Sequence, residues 1–190
     1  IDIPVDEILD SLNDLIDAKL IKLFGASNIG IQRLKKGKIW AQNNNKSSYE
    51  IINNNLSLAK MMKPLWDGCI SSNNYEYLNF LEKEKTQHFS WSSQARGFFI
   101  EESFLKKMLR KKVNEKLKEC FFSKENLERK ERAKKLSRKL GCSVNDVALA
   151  WVISQNFPSY AIIGPKNTSH LGESFKCFSI TLSPSEIKWL

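Results

Sequence analysis

The chain has 190 residues, 42% hydrophobic and 27% charged. That is the makeup of a globular domain able to bury one core, which excludes disorder as the default. Its longest apolar runs, 147–153 and 160–163, fall far short of the roughly 20 residues of a membrane span, so no membrane partner is expected. A net charge of +9 raises the possibility of a nucleic-acid binder, but the excess is local. The segment 106–139 holds 15 Lys/Arg against 5 Glu, while the other 15 basic and 16 acidic residues nearly cancel. Without interleaved aromatic platforms it reads as a solvated helix face, and no nucleic-acid partner is expected.

Cys69, Cys120, Cys142 and Cys177 are far apart, with no C-x-x-C pair. They predict reduced thiols and a cytoplasmic setting, with neither disulfide nor metal site. The sequence opens on Ile1 and an acidic amphipathic stretch, not a signal peptide, and reads as the continuation of a longer frame.

In chain order, Val5, Ile8, Leu9, Leu12, Leu15 and Ile16 recur at helical spacing, with Asp6 and Glu7 in the first turn. Leu20 to Ala26 reads as a buried strand closed by Ser27 and Asn28, and a helix follows from about Ile31 to Trp40. Tyr49 to Ile52 predicts a second strand, with a loop through Pro64 and Gly68 and a helix near Tyr75 to Glu84. His88 to Trp91 predicts a third strand, ending in the polar turn 92–97. Helices follow from Leu127 to Leu140, stopped by Gly141, and from Val144 to Gln155, opened by a Ser143/Asp146 capping box. Tyr160 to Ile163 predicts a fourth strand, Thr168 reads as the N-cap of a helix to about Phe178, and Ser183-Pro184 starts a last short helix. The asparagine-rich stretches 43–45, 53–55 and 73–74 read as compositional drift, Asn53 excepted.

Strand, loop and helix four times over predict an α/β fold of about four parallel strands with flanking helices. A closed barrel needs eight strands, so the expectation is half of one, a single domain over 1–190 truncated at its N-terminal side.

The motifs Phe24-Gly25-Ala26-Ser27-Asn28, Asn55-Leu56-Ser57-Leu58, Trp91 to Phe99, and Ile162-Ile163-Gly164-Pro165-Lys166 stand in an order and spacing that closely resemble the C-terminal half of the aldo-keto reductases. The likeness extends over essentially the whole chain, through 126–129, 148–151 and 182–187. Trp91 and Gln94 are similar to one branch of that family, whose members can be fused behind a second dehydrogenase domain.

The resemblance implies the C-terminal half of a TIM (β/α)8 barrel and an extended NADP or NAD at its mouth, held without a G-x-G-x-x-G motif. It implies that Ser27 and Asn28 hydrogen-bond the nicotinamide carboxamide. Asn53 stands where the family usually has glutamine. Trp91 would stack on the nicotinamide, and Ser92, Gln94 and Arg96 would meet the pyrophosphate. Gly164, Lys166, Asn167, Thr168 and His170 would serve the adenosine 2′-phosphate and adenine, with Ser174 in place of the common asparagine. NADP is preferred over NAD.

The family's catalytic Asp, Tyr, Lys and His come from the first half of the barrel, and none of Tyr49, Tyr75, Tyr77 and Tyr160 matches the tyrosine. No catalytic residue is therefore expected in this chain. It reads as part of an oxidoreductase acting on a carbonyl or sugar-like small molecule, completed by the N-terminal half of the barrel. The alternative is a non-catalytic relative that senses cofactor or binds a partner. Substrate choice would reside upstream and in 98–126.

Overall fold

The computed structural model describes residues 3–100 and 115–190. Its elements are α1 (Val5–Asp17), β1 (Gly25–Ser27), α2 (Ile31–Asn44), β2 (Ile51–Asn53), α3 (Tyr75–Glu84), β3 (Gln87–Ser90), α4 (Glu115–Phe121), α5 (Lys124–Leu140), α6 (Val144–Ile153), β4 (Ser159–Ala161), α7 (Thr168–Phe175) and α8 (Pro184–Trp189). Short 3₁₀ turns cover Ala95–Gly97 and Lys176–Ser179. The four strands form one sheet in the order β1-β2-β3-β4, every neighbouring pair parallel. Helical crossovers between parallel neighbours are the architecture the alternation predicts.

Local chemistry sets the helix ends. Ser143 and Asp146 close a reciprocal capping box on α6, and Ser183 and Glu186 do the same on α8. Gly141 ends α5 at φ +67°. Gly25 permits the approach of β1 to β2, because a Cβ there would sit 2.5 Å from the Ile51 carbonyl oxygen.

The strand limits differ from the sequence reading by one or more residues. The first strand begins at Gly25 instead of Leu20, and Leu20 and Leu23 are exposed along that edge. Only three residues of β1 find ladder partners, so apolar composition alone overestimated the strand. The third and fourth strands start one residue early, at Gln87 and Ser159. α6 stops at Ile153, and the helix expected to reach Phe178 becomes α7 followed by a 3₁₀ turn.

The faces of the sheet are unlike. His88, Ser90 and Ile52 are buried among the packed side chains, His88 against Phe157 at a ring separation of 6.1 Å. Phe89 points the other way and stacks on Tyr160 at 4.8 Å, where Tyr160 and Ile162 are exposed. His88 is held by Ser90 through Nδ1 at 2.9 Å and by Ser72 through Nε2 at 3.0 Å, which satisfies both ring nitrogens.

The part of the basic segment at 106–114 lies outside the described residues. In the rest, α4 was not anticipated. Its Leu117, Cys120 and Phe121 are buried at helical spacing that the surrounding lysines masked. Much of the charge is engaged within the fold: Arg129 with Glu125, Lys134 with Glu131, Lys139 with Glu186, and Lys130 buried in α5. Among the described residues no helix is long and apolar enough to cross a membrane.

Candidate functional site

Parallel strands place the segments that follow them at one end of the sheet, and every residue singled out for cofactor binding lies in such a segment. Ser27 and Asn28 close β1, Asn53 closes β2, 91–96 follow β3, and 164–170 follow β4. These segments therefore share one end of the sheet.

The first of these segments form a hydrogen-bonded chain. Ser27 Oγ donates to the Asn53 carbonyl oxygen at 3.1 Å and reaches Asn53 Oδ1 at 3.2 Å. Asn53 Nδ2 donates to the Phe89 carbonyl oxygen at 2.7 Å, which links the ends of β1, β2 and β3. Asn28 adopts φ +52°, a region asparagine tolerates better than most residues. Its N–H donates to the Asn53 carbonyl at 3.1 Å, and its Oδ1 accepts from the Ile70 N–H at 3.0 Å.

The stretch 53–55, read as drift beyond Asn53, is a correction. Asn54 is fully buried, accepts from the Ile29 N–H at 3.0 Å and donates to its carbonyl at 2.9 Å, fixing the turn after Asn28. Asn55 donates to the Trp91 carbonyl at 3.1 Å and accepts from Ser71 Oγ at 3.1 Å. Asn73 donates to Ser57, and Asn74 caps α3, so that pair is structural as well. The partners of 53–55 lie 16 to 36 residues away, which is why sequence inspection missed them.

Trp91 packs against the core and carries the ring of Trp66, centroids 4.9 Å apart and planes 31° apart. Its Nε1 is buried and has no hydrogen-bond partner among the described residues. The turn after it takes left-handed φ values at Ser92, Ala95 and Arg96, uncommon for residues other than glycine. Ser93 Oγ ties that turn to the end of β4 by donating to the Ile162 carbonyl at 2.7 Å. Gln94 is half-buried, and Arg96 projects into solvent.

After β4, Gly164, Lys166, Asn167, Thr168 and His170 are all exposed. The N-cap of α7 is Asn167, whose Oδ1 accepts from the His170 N–H at 2.9 Å, and Thr168 is the first helical residue. This corrects the assignment of Thr168 as cap: both residue types serve there, and asparagine ranks above threonine. Ser174 is buried, its hydroxyl returned to the His170 carbonyl at 3.0 Å.

Two surface cavities, of about 710 and 500 Å³, lie elsewhere, lined by residues of α3, α6 and the C-terminal end and by the N-terminal segment with α2. Burial pushes the Tyr49 and Tyr77 phenols up, the opposite of what a general acid working near neutrality needs. Among the described residues no group of three or more His, Cys, Asp or Glu side chains could hold a metal.

The family model for the aldo/keto reductase family matches residues 1–190. The chain belongs to that family. It is 24% identical over 201 residues to versiconal hemiacetal acetate reductase of Aspergillus parasiticus, covering 98% of this chain and 52% of that protein. It is also similar to an aldo/keto reductase from Klebsiella pneumoniae solved with NADP and acetate. The TM-score there is 0.63 at 16% identity, over 100% of this chain and 54% of the other. The aldose reductase of Schistosoma japonicum matches with a TM-score of 0.64 at 9% identity, over 100% and 47%. This aldo/keto reductase chain thus spans about half the length of the relatives it matches, and its four parallel strands with flanking helices correspond to half of their TIM barrel.

Proposed function

We propose that this chain is the cofactor-holding half of an NAD(P)H-dependent reductase of a carbonyl or sugar-like small molecule. It forms one domain that the N-terminal half of the barrel completes. The observation that carries this reading is the hydrogen-bonded rim from Ser27 through Asn53 to Phe89, continued by Trp91 on the same end of the sheet. The NADP in the Klebsiella pneumoniae relative supports it. So do the exposed apolar side chains along both flanks of the sheet: Leu20 and Leu23 before β1, Ile162 after β4, and Phe175 and Phe178 beyond it. An uncovered parallel edge and uncovered aromatic rings are what a missing half-barrel would bury.

When bound, the cofactor supplies hydride; the residues of this chain hold it. Ser27 and Asn28 orient the carboxamide, with Asn53 as the brace that fixes the Ser27 hydroxyl. Trp91 covers one face of the nicotinamide, so that only the other meets substrate. Ser92, Gln94 and Arg96 meet the pyrophosphate. Gly164, Lys166, Asn167, Thr168 and His170 lie where the adenosine 2′-phosphate and adenine would rest, and the exposed Lys166 ammonium favours NADP over NAD. Proton donation to the developing alkoxide falls to the N-terminal half. Four free cysteines fit a reducing, cytoplasmic setting.

A non-catalytic cofactor sensor would use the same rim and the same uncovered flanks. Isothermal titration of the intact protein with NADPH and NADH, followed by a carbonyl-reduction assay, separates the readings. Saturable binding with NADPH preferred, and turnover, is the expected result. Binding without turnover favours the sensor, and no binding of either nucleotide overturns both.

A further inference from the structure

We infer that Trp66 is a built-in plug of the nicotinamide position, standing on Trp91 and swinging off when the cofactor enters. The inference rests on the proposed cofactor role of Trp91 and adds a regulation of that site.

The loop from β2 to α3 presents Trp66 in a way that an ordinary packed tryptophan is not presented. Leu65 and Cys69 on either side of it are buried, whereas Trp66 itself is 45% exposed. The Cys69 N–H donates to the Trp66 carbonyl at 3.2 Å, and Gly68 takes φ +82°, which closes a tight turn with Trp66 at its first position. Beyond the turn, the Ile70 N–H donates to Asn28 Oδ1 at 3.0 Å, and the Ile70 carbonyl accepts from the Asn55 N–H at 3.0 Å. The backbone is therefore pinned to the two rim segments that hold the proposed carboxamide and ring contacts, and only the indole of Trp66 is left to lie on Trp91.

With centroids 4.9 Å apart, the two rings are in direct contact, and a flat ring cannot pass between them. Trp91 packs against the core with part of its surface uncovered, and Trp66, itself nearly half exposed, lies against its ring. A nicotinamide stacking there must first displace Trp66. The pinned loop allows this by rotation of one side chain whose surface is already half in water. Ring–ring contact is then exchanged for ring–nicotinamide contact, and apparent affinity falls by the fraction of molecules in which the plug is seated.

The test uses the intact protein, titrated with NADP⁺ as wild type, Trp66→Ala and Trp66→Phe. Trp66→Ala should bind about three- to tenfold tighter, the worth of one aromatic pair, with Trp66→Phe between it and wild type. Equal or weaker binding by Trp66→Ala overturns the plug while leaving the cofactor reading intact; absence of binding by all three proteins overturns the cofactor reading and the plug together. A second measurement does not depend on the alanine variant folding. Acrylamide quenching of the Trp66 emission, isolated by difference from Trp66→Phe, should increase at saturating NADP⁺. Unchanged or reduced quenching at saturation overturns the inference.

Discussion

The ammonium of Lys130, buried in α5, donates to the carbonyl oxygen of Phe98 at 2.7 Å and lies 5.4 Å from the centroid of that residue's ring. It donates also to the Ile100 carbonyl at 3.0 Å. Carbonyl dipoles and a ring face meet part of that buried charge. The effect is to anchor the far end of the turn that carries Gln94 and Arg96.

Lys130→Met keeps most of the apolar stem but leaves two carbonyls without that donor. The expected cost is about 2–4 kcal/mol, read as a lower urea midpoint. Affinity for NADPH should fall as well, since the turn loses its anchor. An unchanged midpoint would show that water replaces the ammonium at no loss.

Asn53 uses both ends of its amide, one toward Ser27 and one toward Phe89. Asn53→Leu has similar volume and neither bond, so about 1–3 kcal/mol of stability should be lost, together with cofactor affinity through the unbraced Ser27 hydroxyl. Asn53→Gln should recover part of both. If Asn53→Leu binds NADPH like wild type, Ser27 needs no brace.

Much of this was legible where the physics is local. The Ser143/Asp146 box, the Gly141 stop and the Ser183 start depend on residues three or four apart, and each stands where the sequence puts it. The buried stripe of α1, Val5 and Leu9, follows helical spacing as predicted. Strand limits were less legible, because three-residue ladders are set by the neighbouring strand and not by the run of apolar residues. Tyr160 and Ile162 look like core in the sequence yet are exposed, since what would cover them is not supplied by residues of this chain's described structure. The roles of Asn54, Asn55 and Trp66 depend on contacts 16 to 36 residues distant and leave no local mark.

His88 gives a prediction with a definite sign. Burial holds its imidazole neutral, lowering the pKa from 6.5 to about 4. Above pH 6.5 the ring is neutral folded and unfolded, so it contributes no pH dependence. Below that, the unfolded chain takes up a proton that the folded chain refuses. Stability should therefore fall as the pH drops from 6.5, and the loss levels off near 4 at about 3 kcal/mol. Urea midpoints measured across that window should show the decline, and His88→Gln should flatten it. A decline of equal depth in His88→Gln would assign the acid sensitivity to other groups.

Gly25 offers the sharpest test of how the rim is built. β1 pairs with β2 through Gly25 opposite Ile51 and Ser27 opposite Asn53, so whatever separates the first pair separates the second. An added methyl at Gly25 would lie 2.5 Å from the Ile51 carbonyl oxygen and 2.9 Å from its Cβ, both closer than atoms tolerate. Neither obstacle is the mobile end of a side chain, so the strands must part. Gly25→Ala should cost about 1–3 kcal/mol by overpacking. Because the Ser27 to Asn53 bonds lie two residues further along the same ladder, it should also weaken NADPH binding more than Gly172→Ala, where a methyl meets nothing within 4 Å. Equal affinities for the two variants would mean that the cofactor rim does not depend on the register of β1 against β2.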